Sequence, residues 1–121
     1  KELYYEIYMK KSTDIGLVGE KKACEYLVDM GYEIINTRYR AKGGEIDIIA
    51  KQGNIICFIE VKYRPDARLG KAFSSVDYDK RRRVRSAARK YMLENNIKCK
   101  QRFDIIEITR AGIWHMKGGK A

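Results

Sequence analysis

Three carboxylates and a lysine stand inside two β-rich segments. Glu45 and Asp47 lie in "GEIDIIA" (44–50), and Glu60 and Lys62 lie in "IICFIEVKY" (55–63). Ionised groups are costly among Ile, Phe and Val unless something compensates them. Strand side chains alternate between faces, so Glu45, Asp47 and Ile49 are predicted to share one face, and Ile56, Phe58, Glu60 and Lys62 another. The intervening "KQGN" (Lys51–Asn54) has hairpin chemistry. It predicts antiparallel neighbours, with Asp47 beside Glu60. Two adjacent carboxylates repel, and one is pushed toward protonation. A divalent cation between them removes that conflict, and all-oxygen ligation suits Mg²⁺ or Mn²⁺. Lys62 points the same way, where it can stabilise charge developing on a phosphate or orient an attacking water. Taken singly, Glu60–Lys62 reads as an edge-strand ion pair and Asp47 as a solvated strand residue; taken with Glu20, the group points to a site.

Glu20 lies three residues after Leu17, three before Ala23 and four before Cys24, within the apolar stripe of a predicted helix. A glutamate in a first helical turn also complements the helix dipole. Without the strands the two readings weigh equally. Beside Asp47 and Glu60, a carboxylate aimed at the sheet is better explained as a ligand to a metal or its water.

The elements that must position these groups are legible from periodicity. Asp14–Met30 has helical spacing, with Gly31 as its C-cap. "YEIINTRY" has strand composition, Gly43 and Gly44 make a turn, and the two acidic strands follow, ended by Pro65. A loop over Asp66–Val76 leads to a second helix, "DYDKRRRVRSAARKYMLENN", with Asp77 as N-cap and Val84, Ala87, Ala88, Tyr91 and Met92 as its apolar stripe. "RFDIIEIT" and "GIWHM" are two further strands. The order αβββαββ predicts an α/β fold, a central mixed sheet of about five strands flanked by helices. A single domain is expected over 13–121, with 1–12 as an N-terminal arm or helix extension.

The chain has 121 residues, enough for one hydrophobic core. Its 26 basic and 16 acidic side chains give a formal net charge of +10, which favours polyanionic partners, nucleic acid first. Three cysteines without a CxxC pair argue against structural disulfides and a zinc cluster, so a cytoplasmic location is expected. The apolar run "IICFI" is too short to span a bilayer, and no membrane association is expected.

An acidic helix residue, then Asp, then Glu-x-Lys on a hairpin resembles the PD-(D/E)xK superfamily, the restriction-endonuclease-like fold. More specifically, "GLVGEKKACEYLVDMGYEIINTRYR", "GEIDIIA", "FIEVKYR" and "RFDII" resemble the bacterial YraN-like family, which is similar to archaeal Holliday-junction resolvases. The resemblance spans about residues 12 to 117. It implies Glu20 as the helix acid, Asp47 and Glu60 as metal ligands, the Val61 backbone carbonyl as a further ligand, and Lys62 as the catalytic lysine. Glu20 would act directly or through a water. Lys80 matches a basic residue that such nucleases place near the scissile phosphate. The superfamily's proline-aspartate reads here as Ile46-Asp47. Junction-cutting relatives work as dimers, so the resemblance also implies a homodimer.

"KRRRVRSAARK" (80–90) carries seven positive charges. Arg81, Arg85 and Arg89 form one row, flanked by Arg82, Arg83 and Lys90. Such a density of like charge destabilises a helix unless a polyanion answers it, and phosphate contacts of this kind position the backbone without reading sequence. Arg38, Arg40 and Lys42 either grip a flanking phosphate or solvate their loop. Asp104 is expected to be a structural aspartate hydrogen-bonded to Arg102, and His115 a structural histidine. The expected activity is metal-dependent phosphodiester hydrolysis, endonuclease-like. A water activated between metal and Lys62 attacks in line on phosphorus, and the resemblance implies a 5′-phosphate and a 3′-hydroxyl. DNA, branched or flapped, stands ahead of RNA as the target. The alternative is a nucleic-acid-binding protein, for DNA or RNA, with a vestigial nuclease site.

Overall fold

The computed structural model describes residues 17–66 and 78–118. The arm expected over 1–12, the helix start at Asp14, most of the Asp66–Val76 loop and the Asp77 cap lie outside the described residues. The elements are α1 (Val18–Asp29), β1 (Glu33–Ala41), β2 (Gly44–Gln52), β3 (Ile55–Tyr63), α2 (Tyr78–Glu94), β4 (Lys100–Thr109) and β5 (Gly112–Met116). The order is the predicted αβββαββ, and the fold is restriction-endonuclease-like: one mixed five-stranded sheet, β1-β2-β3-β4-β5, with helices packed on it. Neighbours are antiparallel except β3 and β4, which are parallel because α2 carries the chain across between them.

Both helices end in the way their sequences dictate. After α1, Gly31 takes φ 90°, the Gly31 N–H donates to the Val28 carbonyl and the Tyr32 N–H to Leu27. This is a Schellman closure. After α2, Asn96 takes the same role at φ 50°, with Ile97 N–H donating to Met92. Asparagine tolerates that left-handed conformation better than other side chains. The β1–β2 turn differs from expectation. Gly43 lies in it, but Gly44 belongs to β2, where a β-carbon would stand 2.4 Å from the Arg83 carbonyl oxygen. Glycine there lets the start of β2 seat against the α2 backbone.

The sheet separates two apolar layers. On the α1 side, Ala23, Cys24 and Leu27 pack on Ile48, Ala50, Cys57, Ile59, Ile106 and Ile108. On the α2 side, Ala87, Ala88 and Tyr91 pack on Ile46, Ile49, Ile56 and Phe58. Met30, the last residue of the predicted helical spacing, is 54% exposed, because the chain turns away at Gly31. Strict alternation also fails in β2: Ile46 and Ile49 share the α2 layer, although they are three apart. The β1–β2 register shifts between Ile34 and Asn36, and Arg38, between the Thr37–Ile48 and Tyr39–Ile46 pairs, takes φ 54°.

The expected partnership of Asp104 with Arg102 is present and larger than a pair. Asp104 accepts from Arg102 Nε at 2.8 Å and Nη2 at 2.9 Å, from the Gly118 N–H at 3.0 Å and from His115 Nε2 at 2.8 Å. An ionised carboxylate only accepts, so the His115 proton sits on Nε2. Nδ1 then accepts from the Tyr26 hydroxyl at 2.9 Å, while Arg102 also donates to the Tyr32 hydroxyl at 2.8 Å. One network thus ties α1, β4 and β5 together, and the structural reading of His115 and Asp104 holds.

Two predictions follow from this packing. Burial opposes ionisation of Asp104, but the His115, Arg102 and Gly118 donors outweigh it and hold its carboxyl at about 2, below the usual 3.8. The stabilisation is therefore complete above pH 3.8 and lost as pH falls toward 2, about 2 kcal/mol in all. Asp104→Asn should lose that acid-sensitive component of chemical-denaturation stability and be less stable than wild type at pH 7 by roughly 3 kcal/mol. Gly19 on α1 faces Tyr63, whose Cβ would be 2.5 Å from an added β-carbon. Alanine in a helix normally gains about 1 kcal/mol over glycine. Gly19→Ala should instead lower the melting temperature, because overpacking costs about 1–3 kcal/mol.

Candidate active site

The site forms where β2 and β3 part. Their ladder runs from Gln52–Ile55 to Ile48–Ile59 and no further. Beyond it, the Val61 N–H would lack a strand partner; the Asp47 carboxylate takes it instead, Oδ2 accepting at 2.8 Å. The sheet thereby delivers Asp47 to the position beside Glu60 and Val61 without regular pairing. On β3 the side chains of Phe58, Glu60 and Lys62 face α2, as the alternation predicted.

Glu60 is the electrostatic centre. Its side chain is 11% exposed, and β3 is the middle strand of the sheet, which overturns the edge-strand reading of the Glu60–Lys62 pair. Lys62 Nζ lies 3.0 Å and Lys80 Nζ 2.8 Å from the same oxygen, Oε2. Both approaches lie within ion-pair distance but lack hydrogen-bond directionality, so this buried oxygen is balanced in charge and unsatisfied in geometry. Burial works to raise the Glu60 carboxyl, yet Lys80 and then Lys62 outweigh it and hold it below its usual range. Asp47 goes the other way. Burial raises it, the Val61 N–H and the Lys80 charge pull it down, and the charges of Glu60 and Glu45 push it up again. A cavity of about 20 Å³, room for one water, opens beside Glu60 between Phe58, Phe103, Val84 and Arg81.

Glu20 is in the first turn of α1, 14% exposed, with Arg38 Nε at 3.9 Å. Arg38 lies between the Thr37–Ile48 and Tyr39–Ile46 pairs of the β1–β2 register. Among the described residues no three His, Cys, Asp or Glu side chains converge closely enough to hold a metal ion. The cradle expected from the sequence is here a two-carboxylate arrangement with Glu20 on Arg38. Arg40 pairs with Glu45 at 2.7 Å, and Arg82 with Asp79. Arg81 lines the cavity beside Glu60, while Arg85 and Arg89 are exposed along α2.

The donor set fits a small divalent cation. Asp47 and Glu60 supply hard oxygens, one carboxyl is destabilised as an anion by burial and by its acidic neighbours, and a buried oxygen of the other lacks directed hydrogen bonds. Bound there, Mg²⁺ or Mn²⁺ would supply positive charge to a phosphoryl oxygen and lower the pKa of a water.

Three residues that matter here escape a reading of the sequence. Gly19 and Gly44 set the close approach of α1 to Tyr63 and of β2 to α2. Glu107 is 1% exposed and is the Cα partner of Lys62 across the parallel β3–β4 ladder. Its place beside "EVK" emerges only once the register of two strands separated by α2 is known.

Comparison with known proteins gives the family of the chain. Residues 19–108 match the model of the family described as "Uncharacterised protein family UPF0102". A UPF0102 protein of Clostridium kluyveri is 48% identical over 98 residues, covering 80% of each chain. One from Persephonella marina is 42% identical over 103 residues, covering 84% of this chain and 89% of the relative. One from Caldicellulosiruptor saccharolyticus is 41% identical over 96 residues, covering 78% and 81% respectively. The matched span runs from the glycine that seats α1 to the strand that carries Glu107, and on that footing the chain is a member of the UPF0102, or YraN-like, family.

Proposed function

We propose that the protein is a divalent-metal-dependent phosphodiesterase, endonuclease-like, that acts on DNA through backbone and shape. The observation that carries this reading is the meeting of Lys62 and Lys80 on the largely buried Glu60, beside Asp47, at the parting of β2 and β3. Acids alone would read as a cation site and lysines alone as an anion site. Both together suit a phosphate held against a metal. Asp47 and Glu60 would hold Mg²⁺ or Mn²⁺, with the Val61 carbonyl and, through a water, Glu20 as further ligands. The metal supplies Lewis-acid charge when bound.

Lys62 would donate to a non-bridging phosphoryl oxygen, countering the charge that grows as water adds to phosphorus and the P–O bond to the leaving oxygen breaks. Its 18% exposure keeps that charge effective, since a low local dielectric strengthens it. The basic face of α2 extends the phosphate-binding surface with Arg85 and Arg89, and Arg38 and Arg40 extend it beyond β2. None of these contacts reads bases, so specificity would rest on the shape of the DNA, with branched or flapped forms the first to test. No helix among the described residues is long and apolar enough to cross a membrane.

A panel of linear, flapped and four-way DNA incubated with Mn²⁺ tests the reading. Asp47→Ala and Lys62→Ala should each lower cleavage at least about 100-fold, the scale of losing a main electrostatic contributor. Binding of the same DNA by fluorescence anisotropy should change little. No cleavage of any DNA or RNA by the wild type would instead support a binding protein with a vestigial site. That second reading draws on Glu20 lying against Arg38. Phosphate binding by α2 has its own test: Arg85→Ala should weaken binding of all sequences alike and reduce the slope of log K against log salt by about 1.

A further inference from the structure

Lys80 has a partner that its predicted role does not explain. A residue serving only to meet a scissile phosphate would point to solvent from the first turn of α2. Its ammonium instead lies 2.8 Å from Glu60 Oε2, nearer than Lys62 at 3.0 Å. Two positive charges thus share one buried carboxylate oxygen. That oxygen belongs to one of the two acids that would hold the metal.

We propose that Lys80 is a phosphate-operated latch on the metal site: it occupies Glu60 in the free protein and leaves it when a nucleic-acid phosphate arrives. The inference rests on the metal-dependent reading above. A divalent ion on Oε2 would sit within a few ångströms of an ammonium already 2.8 Å from that atom. At such separations like charges repel strongly in a partly buried site. The ion and the Lys80 ammonium therefore compete for Glu60.

The latch has somewhere to go. Lys80 stands at the N-terminal end of α2, where the helix dipole favours an anion. Its side chain is 42% exposed, against 18% for Lys62, so it can swing outward while Lys62 stays. Arg83, one turn along, is exposed as well. A phosphate that engages α2 offers Lys80 a new counter-ion, and Glu60 is released to the metal. Because coupling between two ligands is reciprocal, the metal must tighten nucleic-acid binding by the factor by which nucleic acid tightens metal binding. The device keeps the hydrolytic metal out of the site until a phosphate backbone is in place.

Calorimetric titration of Mn²⁺ into the protein without nucleic acid tests the competition. Lys80→Gln should bind Mn²⁺ between roughly 5- and 150-fold more tightly than wild type, the usual span of a coupling between sites. Lys80→Arg should stay near wild type, because it keeps the charge. Glu60→Gln should abolish the binding, which assigns it to this site. With a short DNA duplex present, checked intact by gel after a titration at low temperature, the wild-type affinity should rise by a similar factor and that of Lys80→Gln should not. Glu60-dependent binding that is equal in wild type and Lys80→Gln would overturn the latch and leave the metal reading standing. No Glu60-dependent binding in any variant, with folding confirmed by circular dichroism, would overturn both.

Discussion

A carboxylate in the middle strand of the sheet is the constraint around which the functional half of this protein is arranged. Glu60 is nearly buried under α2, and an unpaired charge there would be prohibitive. Lys62 answers it from the same strand and Lys80 from the helix above. That second contact ties the N-terminal end of α2 to β3, and Gly44, beneath the Arg83 carbonyl, lets β2 come close enough to share the arrangement. Asp47 completes it by taking the Val61 N–H at the point where the β2–β3 ladder ends. The break in pairing and the approach of the acids are one event: a carboxylate does the work of a missing strand carbonyl.

The two faces of the sheet divide their duties. The α1 face is dry and locked, with Ile48, Ile59 and Ile106 fully buried and the Asp104 network joining α1, β4 and β5. Every acceptor in that network meets a donor, which is the condition under which buried polar groups rigidify a fold. The α2 face carries the imperfectly satisfied group, Glu60 Oε2, and a water-sized cavity beside it. Tyr91, Phe58 and Phe103 pack ring against ring beneath this region, so the site rests on a rigid aromatic floor. Among the described residues the unsatisfied buried group thus lies at Glu60 and not in the Asp104 network.

The basic charge also divides. Part of it is spent within the protein: Arg38 on Glu20, Arg40 on Glu45, Arg82 on Asp79, Arg102 on Asp104. Arg83, Arg85, Arg89 and Lys90 are exposed along α2. On the proposed function, the net charge of +10 would draw a polyanion toward this basic helix.

Much of this was legible in the chain itself. The seven elements, the Gly31 closure of α1, the alternation of Phe58, Glu60 and Lys62 and the pairing of Asp104 with Arg102 all follow from periods of two and 3.6 residues and from near-neighbour chemistry, which are local properties. The resemblance of "GEIDIIA" and "EVKYR" to a nuclease pattern is likewise a matter of spacing. Non-local facts were decided only by the fold. That β3 lies in the centre rather than at an edge, that Lys80 meets Glu60, that Glu107 stands abreast of Lys62 and that Glu20 leans on Arg38 all depend on which strands pair and in what register. Alternation assigned Ile46 and Ile49 to opposite faces, yet they share one layer, with Ile48 between them in the other, so the phase of β2 changes between Ile46 and Ile48. A sequence specifies such a shift through the packing it permits, and the packing exists only once the strands have found their partners.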